Sequence, residues 1–267
     1  MCADDYALSA AVSGAVCQLA RAGRLSATSV MALSPRWHAD AAPLREVRDR
    51  LDVGLHLDFT SGFARAAGCG MSLGAAMRRA LLGGFKRAAA QAAIARQIDA
   101  FEAVWQAPPS HVDGHQHVQQ FAGIREPLTE LLARRYGARA PWLRVCRPLA
   151  GQAGLKGWLI ARMGAGALES LAAAQGLAYS RWLIGIYDFK GGAPAYARRM
   201  AGWLAQAPVA SVLMCHPATC GADEGADPIG PARRWEFAHL SSPAFAEQCA
   251  AAGVRLERGS NLYTAHP

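Results

Sequence analysis

Five places along the chain combine residue types that hold ions or move protons. They are the adjacent acids Asp4 and Asp5, the pair His56 and Asp58 in "GLHLDF", the run "HVDGHQHV" at 111–118, Arg144 in "LRVCRP", and His216 in "LMCHP". Each lies in or beside an apolar, β-branched stretch, where a polar group without a partner is costly. The run at 111–118 is the densest. If extended, it places His111, Asp113, His115 and His117 on one side and Val112, Gly114, Gln116 and Val118 on the other. Neighbours on one side of a strand stand about 6.6 Å apart, so two imidazoles can converge on one ion but four groups cannot without a bend. One or two histidine ligands are expected from this run, completed from elsewhere. Catalytic zinc sites use three ligands from His, Asp and Glu and leave a position for water. The competing reading has the histidines bonding one another at a sheet end. His56, between Leu55 and Leu57, would alone read as a core histidine; beside an acid pair and an H-x-H run it reads as part of a site. His216 ends an apolar run before a proline, and an imidazole there suits general acid or base work. Strand alternation sends Cys215 the other way, into packing rather than nucleophilic chemistry.

Such scattered groups need a scaffold that gathers strand ends. Short β-branched runs at 26–33, 52–59, 110–118, 142–148, 210–217 and 254–260 alternate with Ala-rich, Arg-dotted segments at helical spacing, about 8–23, 72–104, 125–137, 152–175, 194–206 and 242–252. This alternation predicts an α/β fold with a largely parallel sheet. In an α/β barrel, active sites assemble at the carboxyl ends of the strands. The stretch 176–193 clusters Tyr179, Trp182, Tyr187 and Phe189 near glycines, and it fits either an insertion over a cleft or an ordinary strand with packed aromatics. No repeat or linker divides the chain, so 1–267 reads as a single domain.

Composition excludes several classes. The formal charge is +8, but only Lys86, Lys156 and Lys190 are lysines, and the arginines are spread along the chain without forming a stripe. Nucleic-acid binding is therefore not expected, although attraction to anions in general is. Seven cysteines without a C-x-x-C pair read as reduced thiols, and Asp4 and Asp5 stand where the basic start of a secretion signal would be. A cytoplasmic protein with no membrane span is expected. The glycines of "GCGMSLGAA" fit neither a dinucleotide fingerprint nor a phosphate loop, and no G-x-S-x-G elbow is present. Hydrolysis at a metal is the chemistry that remains.

Taken in order, "ADDYALS", "GRLSATSVM", "VGLHLDFT", "HVDGHQHV", "LRVCRP" and "LMCHP" with its aromatic and acidic tail resemble the YdjC/ChbG-type carbohydrate deacetylases, which include the hopanoid-associated HpnK proteins. The resemblance implies a single-domain (β/α) barrel, distorted and TIM-like, related to polysaccharide deacetylases. It also implies removal of an acetyl group from an N-acetylated sugar with one divalent metal ion, Mg or Zn. Carried residue by residue, it makes Asp5, His56 and His115 the metal ligands, Asp4 the general base and His216 the acid, with Arg144 orienting the base or binding substrate. His117 and Asp58, and the aromatic faces of Trp182, Tyr187 and Trp235, are candidate substrate contacts. The expected partner is an N-acetylated sugar, oligosaccharide or glycolipid head group; a homodimer is left open.

Three departures stand out. Relatives often continue the run to H-x-H-x-H, where this chain has Gln119, and residue 7 is Ala where glycine is frequent. The acids also come after three residues only, where relatives have a fuller first strand, and this suggests a natural start upstream of Met1. Two other functions fit the same residues: a sugar-binding or regulatory protein with a degraded site, and a different metallohydrolase such as a phosphoesterase.

Overall fold

In the computed structural model, which describes residues 1–149, 154–220 and 227–263, the strands are short and almost wholly buried. They are β1 (Cys2–Tyr6), β2 (Ala27–Val30), β3 (Asp52–Leu57), β4 (His111–Gly114), β5 (Trp142–Leu143), β6 (Trp182–Ile184) and β7 (Ser211–Cys215). All neighbours pair in parallel in the order β5-β4-β3-β2-β1-β7-β6. Burial on both faces suits the near-continuous apolar runs seen in the sequence. The sheet curls until its edges approach. The bridge Leu143↔Tyr179 joins them, with Leu143 N donating to Ala178 O and Ser180 N to Leu143 O, both at 2.9 Å, and Leu183 N of β6 donates to Arg147 O at 2.8 Å.

Helices cover the outside: α1 (Ala10–Arg21), α2 (Trp37–Arg45), α3 (Gly62–Ala66), α4 (Leu73–Leu82), α5 (Arg87–Trp105), α6 (Arg125–Tyr136), α7 (Gly154–Arg162), α8 (Ala165–Ala174), α9 (Gly192–Gln206), α10 (Gly230–Ser241) and α11 (Pro243–Ala251). Local chemistry sets several boundaries. Ser9 caps α1 by accepting from Val12 N, and Val12, Val16 and Leu19 bury one face. Ser72 caps α4, which ends where Gly83 takes a left-handed conformation (φ 68°), so the long helix expected over 72–104 is two.

Other expectations shift as well. The strand expected at 110–118 stops at Gly114, because the chain turns into a 3-10 segment, His115–Gln120, with left-handed Gln116 and His117. No strand forms over 254–260. There Ser260 donates from N and Oγ to Asp52, and Trp142 fills the space a Cβ on Gly259 would need, so the segment packs at the amino end of the sheet. The segment 176–193 contributes β6 to the sheet. Helices α2 and α10 have no counterpart in the sequence reading. The first residues of the helix expected over 152–175, and the acidic Asp223 and Glu224 after His216, lie outside the described residues.

β1 pairs on both sides, Cys2↔Ala27 with β2 and Cys2↔Met214 with β7, and Ser211–Leu213 pair with β6 alone. No helix among the described residues is long and apolar enough to cross a membrane.

Candidate metal centre

Adjacent residues of a regular strand point to opposite faces, yet Asp4 and Asp5 both reach the cluster at the carboxyl end of the sheet. The backbone explains this. The β1–β2 register shifts between Ala3 and Tyr6, and Asp5 (φ 66°) and Ala7 (φ 69°) are left-handed. Such a bulge re-aims a side chain, and backbone strain of this kind concentrates at functional sites.

The two acids have different partners. Asp4 is gripped by Arg144, with Nη1 donating to Oδ1 at 2.7 Å and Nη2 to Oδ2 at 2.8 Å. Asp5 accepts from His115 Nδ1 at 2.9 Å and from Arg233 Nη2 at 2.7 Å, and its Oδ1 lies 3.3 Å from His56 Nε2. Burial favours the neutral form of both acids, but Arg144 holds Asp4 below the usual carboxylate range, and Arg233 with the imidazoles holds Asp5 well below it.

His56 is fixed from behind. Its Nδ1 donates to Asp113 Oδ1 at 2.6 Å, leaving Nε2 aimed at Asp5. Metal-bound histidines are held in this way by a carboxylate on the far nitrogen. Burial opposes charge on His56, yet Asp113, Asp5 and Asp4 raise it to about 10. Asp113 itself accepts from Ser29 Oγ (2.5 Å) and lies 2.9 Å from Arg144 Nη1. Below it His111 stacks on Trp142 with centroids 4.6 Å apart. A Cβ on Gly54 would lie 2.4 Å from the His111 ring, so only glycine fits there.

One ligand atom each from Asp5, His56 and His115 lie within 4.8 Å of one another. The trios Asp4/His56/Asp113 and Cys2/His111/Asp113 meet the same spacing, but both depend on Asp113, which Arg144 and Ser29 already engage, and Cys2, His111 and Asp113 do not reach the cavity. Asp5, His56 and His115 do line it, and a carboxylate with two imidazoles suits a catalytic divalent ion.

That cavity is about 830 Å³, with Asp4, Asp5, His56, His115, His117 and His216 at its floor. His216 Nε2 is 3.8 Å from Asp4 Oδ2, and burial pushes its pKa down to about 4. Beneath it Glu236 accepts from His216 N (2.5 Å) and from Tyr187 Oη (2.6 Å), and burial raises Glu236 to about 7. His117 reaches the cavity with Nδ1 3.3 Å from Cys146 Sγ, and burial lowers it to about 3. Gln119, buried, donates to the Arg144 carbonyl and so braces the strand end that carries the arginine.

Not every expected contact reaches the cavity. Asp58 is buried and caps the next turn, accepting from Thr60 N and Ser61 N. Tyr187 is buried beneath Glu236, Trp182 pairs in β6 opposite Ser211, and Trp235 is half-buried on α10; none of these lines the cavity. Phe189, from the same aromatic segment, does line it, edge-on to His216. Arg233 and Glu236 were missed. Both ride on α10, whose sequence "IGPARRWEFAHL" looks like a Gly/Pro loop; Pro231 at the first helical turn was the available signal.

No curated protein matches the chain. Among solved structures, one from Enterococcus faecalis V583, provisionally named a cellobiose-phosphate cleavage protein, is similar with a TM-score of 0.73 at 17% identity, over 98% of this chain and 97% of that one. At that identity the likeness shows the fold alone. A family model described as YdjC-like protein matches residues 1–251, and the chain belongs to the YdjC-like family.

Proposed function

We propose that the protein is a metal-dependent carbohydrate N-deacetylase. The observation that carries this reading is the convergence of Asp5, His56 and His115, from three separate strand ends, at the floor of a cavity that also holds Asp4 and His216. A divalent ion held by that trio would polarise the acetyl carbonyl and make water a better nucleophile. The remaining work falls to the chain. Both Asp4 oxygens are fixed by Arg144, yet a carboxylate keeps further lone pairs, and Asp4 takes the proton of the attacking water. His216 is neutral at pH 7 and stands just beyond hydrogen-bond reach of Asp4. It receives that proton and delivers it to the departing amine. Glu236, bonded to the His216 backbone N–H and to Tyr187, holds the stretch of backbone that carries the imidazole.

A phosphoesterase reading is less well supported. The buried arginines are each paired with two carboxylates, Arg144 with Asp4 and Asp113, and Arg233 with Asp5 and Asp227, so a phosphoryl group would have to rely on Arg65 and Arg234 higher in the cavity. The test is acetate release across a panel of N-acetylated sugars, with metal analysis of the purified protein. Acetate release that stops on chelation and returns with metal is expected. Stoichiometric metal without turnover on any substrate would instead indicate a binding protein.

A further inference from the structure

Much of the cavity wall is apolar, and the apolar surface does not end at the mouth. On α4 the wall residues Leu73 and Met77 are followed, one turn further out, by Leu81 and Leu82, which are 74% and 79% exposed. On α7, Leu159 and Ile160 line the cavity while Leu155 and Trp158 are 80% and 57% exposed. Both helices lie in connections that leave the carboxyl ends of strands, α4 after β3 and α7 after β5, and so they flank the same opening. Among the described residues, seven large apolar side chains are exposed and five of them are on these two helices. Scattered single apolar residues need no explanation, but two stripes converging on one opening do.

Charge indicates what covers them. The sequence has no Asp or Glu from 59 to 98 or from 131 to 168, the two stretches that contain α4 and α7, although both carry several arginines. On α4, Arg78 and Arg79 are exposed beside Leu81 and Leu82, and on α7 the Arg162 guanidinium sits over the Trp158 ring at 5.6 Å. Exposed Leu and Trp interleaved with cations of a single sign match an anionic lipid surface, where apolar side chains enter the headgroup boundary and the cations meet phosphates. A neutral partner would not need the exclusion of acids. We propose that the protein docks peripherally on anionic bilayers through the outer faces of α4 and α7, with the mouth of the cavity directed at the headgroups.

The experiment is cosedimentation of the full chain with vesicles of phosphatidylcholine alone and of phosphatidylcholine mixed equally with phosphatidylglycerol. The protein is expected to pellet with the mixed vesicles and to be released by high salt. Substituting Leu155→Ser with Trp158→Ser, or Arg78→Glu with Arg79→Glu, should each weaken that binding by about tenfold or more. These side chains are exposed, so unchanged circular dichroism and metal content establish that the variants fold. Failure of the parent protein to pellet, or variants that pellet equally well, would overturn the proposal. So would a concentration-dependent dimer that the same substitutions dissolve, since the occupant would then be a second copy of the chain.

Discussion

At the floor of the cavity each charged side chain is answered by another from a different element: Asp4 by Arg144, Asp5 by Arg233 and His115, and His56 by Asp113. The wall above is Leu73, Met77, Phe121, Leu159 and Ile160, which have no such partners to find. The floor tolerates little change, because removing one member of a buried pair leaves the other charged and alone, typically at a cost of about 3–5 kcal/mol. The wall is held by area, so its members can be exchanged for others of similar size. Chemistry is thus set by the floor, and the wall sets which ligands have apolar surface to offer.

The sharpest break of that contrast is Asp5→Ala. It removes a proposed ligand and leaves Arg233 with Asp227 alone, so metal content measured by mass spectrometry should fall below a tenth of an ion per chain, with turnover at background. Asp4→Asn tests whether neighbouring acids differ in role. It should retain metal while kcat falls by about 10²–10⁴-fold, and equal metal loss in both variants would show that they share one role.

Asp113→Asn acts one shell further out. It loosens the imidazole of His56 and should weaken metal binding by about 10–100-fold in a calorimetric titration. Acidity sharpens the same point. In the metal-free protein His56 is raised to about 10, above the ordinary imidazole value of 6.5, so it stabilises the fold fully below 6.5 and loses that contribution as pH climbs towards 10. A metal must displace that proton, so metal affinity should run the opposite way, rising by about tenfold per pH unit between pH 7 and 9. A flat profile would mean that His56 is already neutral. The wall gives the smallest effect: Met77→Gln should leave kcat unchanged and raise KM only by about 3-fold for substrates with an apolar aglycone, because one side chain's buried area is at stake.

The same contrast explains what the residues revealed before the structure. Polar groups at the ends of apolar strands are too costly to be accidental, which marked Asp5, His56 and the 111–118 run, while the choice of His115 within that run came from the resemblance; the three do meet. Arg144 was legible for the same reason, and of the two roles the resemblance implied for it, orienting the base Asp4 or binding substrate, the contacts are with Asp4. The 3-10 turn after Gly114 was not readable from alternation, since the left-handed Gln116 and His117 depend on packing around them. Arg233 and Glu236 lay on a helix disguised by glycine and proline. Wall residues such as Leu73 and Met77 carry no signal of their own, because apolar side chains at helical spacing read the same in a core and in a cavity. Tyr187 erred in the opposite direction: an aromatic ring beside glycines looks like a sugar platform, and only burial distinguishes it from filling.

β5 has two residues, and through the Leu143↔Tyr179 bridge it is the clasp of the hoop. Arg144 is the next residue along, so the clasp and the hold on Asp4 are one piece of chain. Local opening begins where backbone bonds are fewest. When this clasp slips, the arginine moves with it and Asp4 loses the orientation its role requires, well before the helices around it melt. Turnover is therefore expected to fall at a lower temperature than helical circular dichroism does, and parallel thermal scans of the two check it.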